Sequence, residues 1–260
     1  MKQILYGRGS ISNPTTWLDV FSGSETTTEA SKVSVCAAAG VFSNLRVLIT
    51  VAPGGVATRT YALRVNGADT GLTVTFGAAD TDQQDTTHTV TVAAGDTLSL
   101  HKTTTGSPAA SITDYFTLEF DSTAAGESIY GTRAGTKPSD GFFGPVFHSR
   151  FWGSTAAVLD VVPIAGALTA RYYVLTSAPG AGGSGKSITF AVVKNGVTQD
   201  GTGGTVDTRC TISETATTGN WTGSLTLAPG DTVQTVVSFT NAPTGSTTSH
   251  GSCFTATTDG

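Results

Sequence analysis

The chain has 260 residues, of which only 13% are charged, and its formal net charge is −5. This length can bury one large core or two of about 130 residues, and so few charges exclude disorder driven by charge repulsion. The basic residues are scattered singly, and no apolar run approaches the roughly 18 residues of a membrane helix. We therefore expect neither nucleic acid nor a membrane as a partner.

The residue types favour β-structure over helices. One methionine and 32 glycines accompany many threonines and valines. β-Branched side chains lose rotamer freedom in a helix and pack well on a pleated sheet. No stretch has the pattern of a long helix, so we predict an all-β chain.

In the first half, short alternating runs end at glycine, proline or asparagine, as strands do at turns. Asn66-Gly67 is typical of a two-residue hairpin turn. The predicted strands are Leu45–Val51, Thr60–Val65, Gly71–Phe76, His88–Val92, Thr97–Leu100 and Tyr115–Phe120.

The second half repeats the order of motifs in the first, which is the signature of an internal duplication. The matched pairs include Tyr6-Gly7 with Tyr130-Gly131, Thr50–Gly54 with Thr176–Gly180, Asn66-Gly67 with Asn195-Gly196, and Gly95–Thr97 with Gly230–Thr232. The predicted strands of the second half are Arg171–Thr176, Ser187–Lys194, Cys210–Ser213, Ser224–Leu227, Thr232–Phe239 and Cys253–Thr257. We predict two tandem β-sandwich domains of jelly-roll type, residues 1–125 and 126–260, with the boundary in the Gly- and Ala-rich region 121–144.

Residues Gly180 to Ser187 match the phosphate-binding pattern G-x-x-x-x-G-K-S. That pattern binds phosphate when the loop opens a helix, whose free amide groups face the anion. Here the following residues, Ser187–Val193, alternate like a strand and lead into the Asn195-Gly196 turn. We therefore predict a hairpin loop and no nucleotide cofactor.

Asp80, Asp82 and Asp85 crowd a predicted loop just before His88. Carboxylate oxygens on a flexible loop can hold calcium, but this spacing matches no defined calcium loop. We predict a solvated acidic turn and no metal, with calcium at these three residues as the alternative.

Other polar residues are expected to serve the fold. Asp96 and Asp231 follow glycines in two turns and are predicted to bind their own backbone amides. Three cysteines at long spacings fit neither a disulfide framework nor a zinc site, so we expect small buried thiols, with a Cys210–Cys253 pair as the alternative. The four histidines lie far apart and no Ser-His-Asp set can be nominated, so we expect no enzymatic activity.

The segment between the predicted domains is unusually aromatic. Four of its residues are candidates for an interface, either between the two copies or between subunits: Phe142, Phe143, Phe147 and Trp152. The alternative is that Gly141–Phe147 forms the first strand of the second sandwich.

The strand motifs resemble the β-sandwich modules of tailed-bacteriophage virion proteins. The resemblance covers Tyr61–Gly67, Thr87–Leu100 and Thr105–Ala110, and more loosely Ile188–Gly245. It implies a structural part of a virus particle, namely a capsid decoration or spike protein or a tail or fibre component, with other virion proteins as partners. No catalytic residue carries over, because such modules are not defined by one.

Physical reasoning points the same way. Low charge and short polar loops allow close packing against identical neighbours, and oligomerisation protects open sheet edges. We expect a homo-oligomer, with a trimer favoured, made in the host cytoplasm and located in the virion. Two alternatives remain: a carbohydrate-binding, receptor-binding module that uses its tryptophans, and a double jelly-roll capsid subunit.

Overall fold

The computed structural model describes residues 2–9, 15–109, 113–133, 140–141, 143–144, 146–147, 159–201, 206–244 and 248–257. This part of the chain is all-β, apart from one 3-10 turn at Glu29–Ser31, which confirms the predicted fold class. It divides into two compact units. Unit 1 consists of Met1–Ser34 and Ala39–Ala124, and unit 2 of Val35–Ala38 and Ala125–Gly260.

Two antiparallel sheets form from the first half of the chain. Its strands are β1 (Lys2–Gly9), β2 (Thr16–Leu18), β3 (Glu25–Thr26), β4 (Ser34–Val35), β5 (Gly40–Ile49), β6 (Thr58–Val65), β7 (Ala68–Phe76), β8 (Asp82–Asp85), β9 (Val90–Val92), β10 (Thr97–Thr105) and β11 (Asp114–Ser122). One sheet has the order β1-β11-β5-β8, with β9 also beside β5. The other has the order β3-β2-β10-β6-β7, with β4 also beside β10.

Two further antiparallel sheets form from the second half. Its strands are β12 (Glu127–Arg133), β13 (Phe143–Gly144), β14 (Asp160–Val161), β15 (Gly166–Leu175), β16 (Ser187–Lys194), β17 (Val197–Gln199), β18 (Cys210–Ser213), β19 (Thr218–Leu227), β20 (Thr232–Thr240) and β21 (Thr248–Ala256). The sheet orders are β12-β21-β15-β19 and β13-β20-β16-β17, with β14 beside β20 and β18 beside β16.

The second sheet pair repeats the strand order of the first. β1-β11-β5 corresponds to β12-β21-β15, and β2-β10-β6 corresponds to β13-β20-β16. Two equivalent glycines, each packed closely against a phenylalanine ring, support this correspondence between β5 and β15. A Cβ added to Gly40 would lie 2.5 Å from the Phe120 ring, and one added to Gly166 would lie 2.3 Å from the Phe254 ring. This shared order supports the predicted duplication and jelly-roll type, which stay predictions.

One match of the sequence repeat is out of register. Ile4 lies opposite Glu119, and Ile129 lies opposite Cys253, in each case one residue before the equivalent phenylalanine. Ile4 therefore corresponds to Ile129, and Tyr6 corresponds to Gly131 instead of Tyr130. Because side chains alternate between the faces of a strand, this one-residue difference places Tyr6 and Tyr130 on opposite faces.

Both sheets of unit 2 contribute to one hydrophobic core, which makes the unit a β-sandwich. β15, β19 and β21 supply Leu168, Tyr173, Leu175, Trp221, Leu225, Leu227 and Phe254, while β16, β18 and β20 supply Ile188, Phe190, Val192, Cys210, Ile212, Val233 and Val237. The rings of Tyr173 and Phe190 stack across the two sheets with centroids 4.2 Å apart.

Each unit also buries a cation, which the sequence did not predict. In unit 1 the ammonium group of Lys102 contacts the Glu25 carboxylate and lies 3.1 Å from Asp114 Oδ2. In unit 2 Arg171 Nη1 donates to Thr235 Oγ1 at 2.5 Å, and the guanidinium lies 5.1 Å from the centre of the Tyr173 ring. Burial lowers the pKa of Arg171. Each cation contacts hydrogen-bonding or aromatic groups, as a buried charge requires.

Candidate interaction surfaces

The first candidate surface is the solvent-facing side of the sheet β1-β11-β5-β8, which we call the outer face. Four of its side chains are large, apolar or aromatic, and exposed: Ile4, Tyr6, Leu48 and Tyr115. The strand register places them on one side of the sheet. Tyr115 lies opposite Leu48, and Tyr6 lies opposite Thr117, two residues along the strand from Tyr115. Tyrosine and large aliphatic residues on a flat, ordered surface are typical of protein interfaces.

Paired charges also lie on the outer face. Arg46 donates from Nε and Nη2 to the two carboxylate oxygens of Asp82, at 3.0 and 2.5 Å. Lys2 Nζ lies 2.5 Å from Glu119 Oε1. Hydrogen bonds from Arg46 lower the pKa of Asp82, and those from Lys2 lower that of Glu119. Both carboxylates therefore stay charged under physiological conditions, and these polar groups lie among the exposed apolar side chains of the outer face.

The second candidate surface is the segment Leu159–Ile164 of unit 2. Leu159, Val161 and Ile164 expose their side chains. Beside them lies a mostly apolar cavity of about 240 Å³, lined by Tyr130, Phe147, Asp160, Val161, Val162, Pro163, Ile164 and Phe254. An exposed apolar segment beside an apolar cavity is a feature of binding surfaces.

Phe147, predicted from the sequence as an interface residue, lines this cavity. Its ring makes edge contacts with Tyr130 and Phe254, with centroids 5.2 and 5.7 Å apart. The carboxylate of Asp160 holds the backbone in place by accepting hydrogen bonds from the N–H groups of Val146 and Phe147, at 2.6 and 2.8 Å. The anchoring by Asp160 was missed, because no local motif links residues 13 positions apart.

For the other three aromatic candidates the structure gives only the place of Phe143 in its strand. Phe143 lies in β13, opposite Val236, while Phe142 and Trp152 lie outside the described residues. The alternative that Gly141–Phe147 is the first strand of the second sandwich is wrong, because β12 precedes it and pairs with β21.

The acidic residues Asp80, Asp82 and Asp85 do not form the predicted solvated turn. Asp82 and Asp85 begin and end β8, which pairs with β5, and they lie on opposite faces of it. Asp80 accepts a hydrogen bond from the N–H of Gly77 at 2.8 Å. In the described part of the chain, no group of three or more His, Cys, Asp or Glu side chains is arranged to hold a metal.

Asp85 is the largest departure from the predicted acidic turn, because it is buried. Its carboxylate accepts hydrogen bonds from the backbone N–H groups of Thr73, Thr87 and His88, each at 3.1 Å. Burial by itself raises the pKa of Asp85, but these hydrogen bonds outweigh it and hold the pKa well below its usual range. Asp85 therefore fastens β7 to the turn after β8.

The glycine-rich loop that matches the phosphate-binding pattern leads into strand β16, as predicted. The prediction of a hairpin loop is wrong, because the loop joins β15 to β16 and these two strands belong to different sheets. The carboxylate of Glu214 accepts hydrogen bonds from the N–H groups of Gly183 and Gly185, both at 3.0 Å. These bonds lower the pKa of Glu214. The loop amides thus already bind an anion that belongs to the chain itself.

Asp96 and Asp231 bind backbone amides, as predicted, and also fasten two turns together. Asp96 Oδ2 accepts from Ala93 N–H, and Asp231 Oδ2 accepts from Ala228 N–H, both at 2.7 Å. The other carboxylate oxygen accepts from the asparagine of the hairpin turn, Asn66 in unit 1 and Asn195 in unit 2, at 2.8 and 2.7 Å. We call each aspartate–asparagine pair a turn clamp.

The cysteines and two of the tryptophans serve the interior. Cys36, Cys210 and Cys253 are buried thiols, as predicted, so the alternative Cys210–Cys253 pair is wrong. Trp221 is buried and donates from Nε1 to the carbonyl of Asp207 at 2.6 Å. Trp17 stacks on His101, with ring centroids 5.2 Å apart.

No protein-family model and no curated protein matches the chain. Among solved structures, a Paenibacillus xanthan lyase is similar over 86% of this chain and 22% of its own, at 14% identity and a TM-score of 0.24. The T=1 Penaeus vannamei nodavirus is similar over 98% of this chain and all of its own, at 8% identity and a TM-score of 0.22. At such scores neither likeness bears on function. In the described residues, no helix has the length and apolarity to cross a membrane.

Proposed function

We propose that the chain is a structural component of a bacteriophage virion, a capsid decoration or spike protein or another head or tail component. It acts through protein–protein contacts and catalyses no reaction. The strand motifs that resemble phage virion modules support the virion role. The single structural observation that carries the contact role is the outer face, where Ile4, Tyr6, Leu48 and Tyr115 stand exposed on ordered strands.

The main alternative is a carbohydrate-binding module on the same sandwich. Sugar rings stack on exposed aromatic side chains, and Tyr6 and Tyr115 on the outer face offer such rings. Trp221 is buried and Trp17 already stacks on His101. The outer face therefore favours a protein partner, because leucine and isoleucine accompany its tyrosines.

Three binding measurements on the purified chain separate the candidates. A decoration or spike protein binds preformed capsids and forms no shells alone, whereas a capsid subunit assembles into shells by itself. A carbohydrate-binding module binds a glycan array. We expect capsid binding that Tyr6→Asp weakens, and glycan binding without capsid binding would contradict the proposal.

A further inference from the structure

The two units treat the same side of the corresponding sheet differently. Ile129 and Cys253 of unit 2 occupy the positions of Ile4 and Glu119 on the outer face of unit 1. Ile4 is 69% exposed, whereas Ile129 is 0% exposed and Cys253 is 1% exposed. This side of the sheet is therefore covered in unit 2 and exposed to solvent in unit 1.

The segment Val35–Ala38, all four residues of which are buried, forms part of the cover in unit 2. It lies directly on β21 at Gly251. A Cβ added to Gly251 would be 2.1 Å from the carbonyl oxygen of Val35 and 3.4 Å from the Cβ of Ala37. The apolar segment and the apolar sheet face thus shield each other from water.

The counterpart of this covering segment is Val161–Ile164. Both segments end two residues before the glycine that opens a central strand, Gly40 in β5 and Gly166 in β15. Both also follow equivalent short strands, since β4 lies beside β10 and β14 lies beside β20. Unlike Val35–Ala38, the counterpart exposes its side chains, with Val161 at 64% and Ile164 at 52%.

In unit 2 the sheet face is covered and the segment Val35–Ala38 is buried against it. The outer face of unit 1 is exposed, and the segment Val161–Ile164, which corresponds to Val35–Ala38, is exposed as well. We propose that the outer face of unit 1 binds the segment Val161–Ile164 of a second copy of this chain. The inference rests on the proposed structural role and deepens it by naming the partner and the surface. Because the contact joins two different surfaces, it builds a ring where it closes and a filament where it does not.

The chemistry of the two surfaces fits this contact. Val161 and Ile164 supply the apolar side chains, and Tyr6 and Tyr115 supply rigid aromatic anchors of the kind that dominate interface energies. Thr117 stands on the outer face where Gly251 stands in unit 2. The docked segment therefore rests on side chains and lies further from the sheet than Val35–Ala38 does.

The exposed segment is also held in shape for binding. Asp160 and Val161 pair with β20, and the N–H of Val162 donates to the carbonyl of Asp231 at 2.8 Å. A segment that is already ordered loses little conformational entropy when it binds. The contact therefore needs no refolding of either partner.

The test compares self-association of the full chain with that of a face variant, Tyr6→Asp, and a segment variant, Val161→Asp, by light scattering and sedimentation over a range of concentrations. We expect the wild type to self-associate and each variant alone to dissociate with a Kd at least about tenfold higher, because a charge is placed in an apolar contact. Mixed in equal amounts, the two variants should form a 1:1 dimer. In that dimer the intact segment of Tyr6→Asp binds the intact outer face of Val161→Asp. No larger assembly forms, because the two surfaces left over are both altered.

The control is Val56→Asp, which makes the same change at a side chain that is 95% exposed and lies on neither surface. It should associate like the wild type, and circular dichroism should show all variants folded. A wild type that stays monomeric, or variants that associate as it does, overturns the inference. No dimer in the mixture overturns it too, because an intact outer face and an intact segment then do not bind each other. If the wild type is monomeric but still binds capsids, the proposed structural role stands and only the contact between two copies of the chain is contradicted.

Discussion

Lys102 is a buried charge of unit 1 that lies between two buried carboxylates. Its ammonium group contacts Glu25 and Asp114, and all three side chains are nearly inaccessible to water. Lys102→Met keeps the volume but leaves two carboxylates close together without a cation. We expect a loss of about 3–5 kcal/mol in the free energy of unfolding, measured by urea denaturation.

The matched control for this change is Lys194→Met. Lys194 Nζ lies 2.9 Å from Asp231 Oδ2, but the lysine side chain remains 26% exposed. A surface ion pair contributes about 0–1 kcal/mol, so this variant should unfold close to the wild type. Equal effects of the two substitutions would show that the burial of Lys102 does not govern its contribution.

Asp231 makes the stability of unit 2 sensitive to acid. Hydrogen bonds from the Ala228 N–H and from Asn195 and Lys194 lower its pKa to about 2. Because the folded pKa lies below the unfolded value near 4, this stabilisation is complete above about pH 4 and is lost as the pH falls toward 2. We expect Asp231→Asn to be less stable than the wild type at pH 7 and to lose less stability over that interval, measured by urea denaturation at each pH.

Two buried carboxyl groups act in the opposite direction. Burial raises the pKa of Asp19 and of Asp114, so the folded state binds their protons more tightly than the unfolded state does. These two groups therefore favour folding as the pH falls. If the free energy of unfolding falls equally steeply between pH 4 and pH 2 in Asp231→Asn and in the wild type, Asp231 is not the source of the acid sensitivity.

At the scale of elements, the cover of β21 depends on the missing side chain at Gly251. Gly251→Ala places a methyl group 2.1 Å from the Val35 carbonyl oxygen, so the segment Val35–Ala38 must move away. We expect a loss of about 1–3 kcal/mol in the free energy of unfolding, as for other overpacked sites. Gly182→Ala is the control, because a Cβ there meets no atom within 4 Å. A Gly251→Ala variant as stable as this control would contradict the close cover.

Some of these elements could be predicted from sequence, because their cause is local. Asn66-Gly67 and Asn195-Gly196 require positive φ at both residues, which asparagine and glycine tolerate, and the structure has φ between 50° and 79° at all four. β1 was missed because Lys2–Gly9 does not alternate in polarity. The sequence predicts a loop where β8 lies, because the three aspartates resemble a solvated turn, and no local pattern indicates that Asp85 is buried.

At the scale of the whole molecule, the ordered motif matches between the halves correspond to a shared strand order, which sequence comparison can detect. The interaction surfaces could not be predicted in the same way. Whether Ile4 or Ile129 is exposed depends on where the distant segment Val35–Ala38 lies, and the sequence near each isoleucine gives no sign of it. The turn clamps, in contrast, depend on two short motifs at the ends of neighbouring strands. Because both motifs recur in the sequence, the clamp recurs in both units.

The central claim is that this chain serves as a part of a virus particle. The most direct test is quantitative mass spectrometry of purified particles of the phage that encodes the chain, set against the copy number of the major capsid protein. The account predicts peptides of this chain in a fixed, stoichiometric ratio that survives repeated purification. Particles that are complete and infectious without any of its peptides would contradict it.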